Sequence, residues 1–218
     1  MVLGRNRAIP SADPADSGFR MLALGDSYTI GESVPETDRY PIQAAKKLCE
    51  NEHICFTHPE IIAATGWTSG NLLAALSSVK PAGPYHVVTL LIGVNNQFQG
   101  LSPYEYKAQF TTLLQKAIAL AGNLPSHVLV LSIPDYSVTP FGRSKPGPAH
   151  ISVQIDSFNI INRQAAADYN VNWLDVTVES RKAARDATLI AADGLHFSGK
   201  EYGIWARLME PILKGMFR

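Results

Sequence analysis

Gly25-Asp26-Ser27 closes a short apolar run, Met21 to Leu24, and far downstream stands Asp193-Gly194-Leu195-His196. A serine hydroxyl is a weak nucleophile at neutral pH, and it needs an imidazole as general base and a carboxylate to orient that base. Asp193 and His196 are three residues apart, close enough for one turn of loop to bring a carboxylate oxygen to Nδ1. The set is that of acyl transfer through a serine.

A serine at the carboxyl end of a first strand projects into the crevice where open α/β sheets hold their ligands. Runs rich in apolar and β-branched residues alternate with helical patterns, which predicts a parallel sheet covered by helices on both faces. Five strands are expected, at Phe19–Leu24, within Ile54–Ala63, and at His86–Ile92, His127–Ile133 and Val171–Asp175. Their nearly continuous apolar character predicts burial on both sides.

Helical patterns cover Tyr40–Asn51, Ser69–Ser78 and Ser152–Tyr169. Ser102-Pro103-Tyr104-Glu105 and Ser198 with Glu201 carry capping-box residues, so one helix should start at Pro103 and the last just after His196. Tyr106, Phe110, Leu113, Leu114, Ala117 and Ile118 recur at helical spacing and should face the sheet. The stretch Pro134–Pro148, with four prolines and two glycines, reads as a long irregular connection, the kind that often walls a binding site.

These blocks resemble, in order and spacing over nearly the whole chain, those of the SGNH (GDSL-type) esterases and lipases. The resemblance implies a flavodoxin-like three-layer α/β/α fold with a five-stranded parallel sheet in the order 2-1-3-4-5. It also implies Ser27 as nucleophile, Asp193 and His196 as its partners, and Gly66 and Asn95 completing an oxyanion hole with the Ser27 N–H. Chemistry supports these residue types independently: attack on an ester builds negative charge on oxygen, and donors aimed at it contribute about 2.7 to 4 kcal/mol each. Gly66 lets its N–H approach without a side chain, and Asn95 offers an amide; taken singly, each reads equally as a turn glycine or a strand-end polar residue. Asn96 departs from the family's usual aspartate, exchanging a charge for a donor–acceptor pair. Asp26 is assigned a structural part, because neighbours on an extended backbone point apart, and its carboxylate is expected to accept backbone N–H bonds.

Family members act on short acyl esters, acetylated carbohydrates, lysophospholipids and thioesters. The expectation here is a serine esterase cleaving a small acyl ester, with a catalytically silent α/β binding module as the alternative from another class. Tyr28, Trp67, Tyr136 and Phe141 are candidate walls of the substrate pocket, and packing explains them equally. Arg143 and Lys145 read as solvated loop charge, with contact to an anionic substrate the alternative.

Composition narrows the partners. The 218 residues are 46% hydrophobic, enough for a single domain over 19–218, and nineteen basic residues balance nineteen acidic ones, so no basic field addresses nucleic acid. No apolar stretch approaches the roughly 18 to 20 residues of a membrane span. Residues 1–18 lack the apolar core of a secretory signal and read as a mobile arm, which favours a cytoplasmic setting unless a leader has been removed. Cys49 and Cys55 read as free, partly buried thiols. The other histidines, His53, His58, His86, His127 and His150, show no metal-ligand spacing, so neither metal nor cofactor is expected. The substrate partner is a small ester; monomer and dimer both fit the neutral charge.

Overall fold

The computed structural model of the chain describes residues 18–218. The expected N-terminal arm lies, apart from Gly18, outside the described residues. Five parallel strands, β1 (Met21–Gly25), β2 (Glu60–Ala63), β3 (Val87–Leu91), β4 (Val128–Leu131) and β5 (Asn172–Leu174), form one sheet in the order β2-β1-β3-β4-β5. Around them lie α1 (Ser27–Ile30), α2 (Tyr40–Glu52), α3 (Ser69–Val79), α4 (Val94–Phe98), α5 (Pro103–Leu120), α6 (Pro140–Arg143), α7 (Pro148–Asp168), α8 (Thr177–Ser180) and α9 (Gly199–Gly215).

The strand order decides the layers. Crossovers between parallel strands are right-handed, so the step from β1 out to β2 puts α2 on one face. The reverse steps through β3, β4 and β5 put α3, α5 and α7 on the other. The packing agrees: α2 lies against α9, while α5 lies between α3 and α7. The direction in which strands are added across the sheet reverses between β1 and β3, and the carboxyl ends of those two strands flank the crevice that such a reversal opens.

β1, β3 and β4 are wholly buried, as their apolar runs predict. β2 and β5 are partly exposed because they are the sheet's edges, a property of topology that local composition does not reveal. The stripe from Tyr106 to Ala117 on α5 is buried in the core. Tyr40, Tyr202 and Trp205 fill the α2–α9 face, with ring centroids 5.0 to 6.3 Å apart.

Three expectations need correction. Cys49 and Cys55 are not free thiols but a disulfide, with Cα atoms 4.3 Å apart. The reason is local: His53 takes the left-handed conformation at φ 59°, and both its N–H and that of Ile54 return to the Leu48 carbonyl, folding the chain back on the last turn of α2. Neither expected capping box is complete. Ser102 and Ser198 do accept backbone N–H bonds, but the Glu105 carboxylate accepts from Gln109 and Glu201 turns inward to the Trp205 indole N–H at 2.8 Å. The complete box is at Thr68 and Asn71, opening α3. Finally, the stretch Pro134–Pro148 is more ordered than expected, holding a 3-10 turn at Tyr136–Val138 as well as α6. Buried Asp135 anchors it, accepting from Ser137 N, Ser152 Oγ and Arg181 Nε at 2.6 to 2.9 Å. Burial works to raise the Asp135 carboxyl, and these donors outweigh it and hold the group below the usual range.

Candidate active site

The turn after β1 leaves almost no room. A Cβ on Gly25 would stand 2.0 Å from Thr29 Oγ1 and 2.4 Å from the Leu91 carbonyl, so only glycine lets β1 pass this close to β3. Asp26 follows in extended backbone and caps α1, its Oδ1 accepting the Tyr28 N–H at 3.1 Å. It therefore holds the turn, as its expected structural part requires. Its Oδ2 is buried without a partner among the described residues, and burial pushes the carboxyl up to about 7. Ser27 is the first residue of α1, where a backbone N–H has no intrahelical acceptor.

Asp193 and His196 meet as their spacing predicts. His196 Nδ1 lies 2.6 Å from Asp193 Oδ2, and Asp193 Oδ1 accepts the backbone N–H groups of both Leu195 and His196 at 2.9 Å. An ionised carboxylate only accepts, so Nδ1 carries a proton, and in the neutral ring the acceptor is then Nε2. Partial burial works to raise the Asp193 carboxyl; the His196 ring, the two backbone donors and Ser33 overcome it and bring it down to about 2. The His196 ring is buried and packs edge-on against Tyr28, with centroids 5.6 Å apart. An antiparallel bridge between Ile190 and Phe197 closes the loop at its base.

Ser27, Gly66, Asn95 and His196 line one cavity of about 120 Å³. The strand ends unite them, although β1, β2, β3 and the last loop are far apart in sequence. Ser27 Oγ has no hydrogen-bond partner among the described residues. Gly66 is the third residue of a turn closed by Trp67 N–H to the Ala64 carbonyl, at φ 80°. Its glycine is demanded by that conformation, not by crowding, since a Cβ there would meet nothing within 4 Å. Asn95 spends one amide proton on the Trp67 carbonyl at 3.0 Å, which fixes the amide and leaves the other N–H for the cavity.

Asn96 explains its own departure from aspartate. It is buried, its Oδ1 accepts the Ser69 N–H at 2.9 Å, and its Nδ2 donates to Ser69 Oγ at 2.8 Å. Ser69 Oγ is then free to donate to Gln109 at 2.6 Å. An uncharged chain thus ties α4 to the first turn of α3 and to α5, supporting the strand-end segments that carry Gly66 and Asn95.

Of the four expected wall residues, Tyr28, Tyr136 and Phe141 line the cavity. Trp67 does not: it packs partly buried against the core, and what it brings toward the site is its carbonyl. Sequence reading missed Thr65, Val94, Phe98 and Leu195, all cavity-lining. Each adjoins a motif residue or lies within three positions of one, a signal that could have flagged them. It also missed Ser33, whose Oγ donates to Asp193 Oδ2 at 2.7 Å and which no motif indicates. Among the described residues, His58 alone of the other histidines faces a carboxylate, Glu36 at 2.9 Å, and both are exposed outside the cavity. Among the described residues, no group of three or more acidic, histidine or cysteine side chains could hold a metal, and no helix is long and apolar enough to cross a membrane.

Sheet order, crevice and cavity together define a flavodoxin-like α/β protein with a serine and a carboxylate-bound histidine at its switch point. The chain belongs to the GDSL-like lipase/acylhydrolase family, whose sequence model matches residues 23–204. It is a carboxylic ester hydrolase. Its fold is similar to that of TesA, at 20% identity and a TM-score of 0.70 over 90% of this chain and 99% of that one. A lipase/acylhydrolase from Enterococcus faecalis gives 18% and 0.66, covering 90% and 96%. Axe2, an acetylxylan esterase from Geobacillus stearothermophilus, also gives 18% and 0.66, covering 90% and 94%. No curated protein sequence matches the chain.

Proposed function

We propose that the chain hydrolyses a small acyl ester through an acyl-enzyme, with Ser27 as nucleophile, His196 as general base and acid, and Asp193 orienting His196. The observation that carries this reading is the 2.6 Å contact between His196 Nδ1 and Asp193, with the ring on the cavity that Ser27 also lines. In the first half-reaction Nε2 takes the Ser27 proton as Oγ attacks the carbonyl carbon. The oxyanion is met by the Ser27 and Gly66 N–H groups and by the Asn95 amide. The C–O bond to the alcohol breaks, and the imidazolium gives its proton to that oxygen. Water repeats the sequence on the acyl-enzyme and frees the acid. Asp193 stabilises the imidazolium at each stage without taking its proton.

A short acyl group fits the cavity size and its apolar walls, Val94, Phe98, Tyr136, Phe141 and Leu195. Acetylated carbohydrates, with the sugar outside the mouth, are a second reading favoured by the same shortness. A disulfide persists in oxidising compartments, so the Cys49–Cys55 bridge favours an exported setting over the cytoplasm.

An active-site-directed fluorophosphonate tests the assignment. Intact protein should gain one adduct on Ser27, and Ser27→Ala should lose both labelling and turnover of p-nitrophenyl acetate and butyrate. A folded protein that takes no label would instead be the silent binding module. Wild-type turnover in His196→Ala or Asn95→Ala would remove that residue from the mechanism.

A further inference from the structure

Two opposite charges, Lys145 and Glu32, touch residues that line the cavity. Phe98, Tyr136 and Phe141 form a wall of rings with centroids 6.1 to 6.5 Å apart. Lys145 Nζ stands 4.2 Å from the centroid of Phe141 and 5.7 Å from that of Phe98. Both rings line the cavity, and Phe98 is half exposed. Lys145 has no carboxylate within ion-pair distance among the described residues. The neighbouring cation, Arg143, is turned away, its Nη2 donating to the Ala184 carbonyl at 3.0 Å. Thr65 also lines the cavity, and its hydroxyl donates to the Glu32 carboxylate.

A solvated loop lysine would extend into water. This one holds its Nζ over two cavity-lining rings, which favours a point charge beside them while leaving the ammonium protons unspent. The loop holding it is fastened to the loop of His196, since Phe141 N–H donates to the Gly194 carbonyl at 2.9 Å and Lys145 N–H to that of Gly142 at 3.1 Å. The backbone that carries Lys145 is therefore tied to the loop that carries His196.

We propose that Lys145 is a specificity determinant that selects esters bearing a negative charge on the Phe98–Phe141 side of the mouth, while Glu32 disfavours that charge on the Thr65 side. The inference rests on the serine esterase reading and names its substrate class: a short acyl ester with a carboxylate or phosphate a few bonds from the ester carbon. The anion belongs either to the alcohol or to the far end of the acyl group, and two substrates separate these. One is 3-butyryloxybenzoate, paired with its neutral methyl ester; the other is the p-nitrophenyl half-ester of glutarate, paired with p-nitrophenyl butyrate.

The readout is the anionic-to-neutral ratio of kcat/KM in wild type, Lys145→Gln, Lys145→Glu and Glu32→Gln. For at least one pair the ratio should fall about threefold to fivefold in Lys145→Gln, the effect of one partly exposed charge. It should fall further in Lys145→Glu and rise in Glu32→Gln. Added salt at 0.5 M should shrink these differences, because the charges are solvent-accessible. Ratios that stay level in both lysine variants for both pairs overturn the inference and leave Lys145 a cover for the rings. In that case Ser27-dependent turnover of the neutral esters still stands. If the wild type turns over none of the four, or Ser27→Ala turns them over equally, the esterase reading falls and takes this inference with it.

Discussion

Ser33 offers the sharpest separation of chemistry from stability. Its Oγ and the His196 ring share one oxygen, Asp193 Oδ2, at 2.7 and 2.6 Å. To get there Ser33 adopts φ 65°, a left-handed conformation that costs a residue with a Cβ about 1 to 2 kcal/mol. A hydrogen bond to a charged acceptor contributes about 1.5 to 3 kcal/mol. The Asp193 side chain is 30% exposed, so water recovers part of this, and about 1 kcal/mol remains, or roughly fivefold in rate. Ser33→Ala loses the donor and keeps the strained backbone; Ser33→Gly loses the donor and relieves it. Both should lose about fivefold in kcat/KM on p-nitrophenyl butyrate, while the glycine variant is about 1 kcal/mol more stable than the alanine variant in urea.

The same bond has a pH signature. The Asp193 carboxyl is depressed from 3.8 to about 2, so the stability it contributes is present above 3.8 and lost as pH falls through about 2. Removing the Ser33 donor moves the folded value back toward 3.8, and the stability gap between wild type and Ser33→Ala, full at neutral pH, should close through that window. Wild-type kcat/KM between pH 5 and 9 in both variants would refute a positioning role for Ser33.

Three further outcomes are expected. Asn96→Ala leaves the buried Ser69 N–H without its acceptor and should cost about 1 to 3 kcal/mol in urea denaturation; Asn96→Asp, which can accept from both Ser69 donors, should cost clearly less, and equal losses would contradict the network. Replacing both Cys49 and Cys55 by serine opens a short loop and should cost about 2 kcal/mol, lowering Tm by roughly 4 to 8 °C; reductant should lower wild-type Tm similarly and leave the double variant unmoved. Burial raises the Glu201 carboxyl from 4.5 to about 7; the folded state then holds its proton more tightly than the unfolded chain, stability falls as pH rises from 4.5 to 7, and the penalty is complete above 7. Glu201→Gln, which still accepts from Trp205, should therefore raise stability at pH 8 by roughly 1 to 3 kcal/mol and add little at pH 4.5; a gain independent of pH would contradict it.

The features visible in sequence are those set by neighbours along the chain. Buried strands announce themselves as apolar runs, α5 as a stripe from Tyr106 to Ala117, and the Asp193–His196 pair as three residues of loop, because each depends on local periodicity or reach. The motif residues that share the cavity were legible for a different reason, the ordered blocks Gly25-Asp26-Ser27, Gly66, Asn95 and Asp193-x-x-His196. What escaped was decided between segments. Ser33 reaches Asp193 across 160 positions, and Asn96 reaches Ser69 across 27. Glu201 prefers a tryptophan in the core to the helix start its spacing predicts. The Cys49–Cys55 bridge needed the left-handed reversal at His53, and Trp67 was kept out of the cavity by its packing on the core. Periodicity and propensity act through bonds along the chain, whereas hydrogen-bond partners and cavity walls are chosen by which surfaces the sheet's crossovers bring face to face.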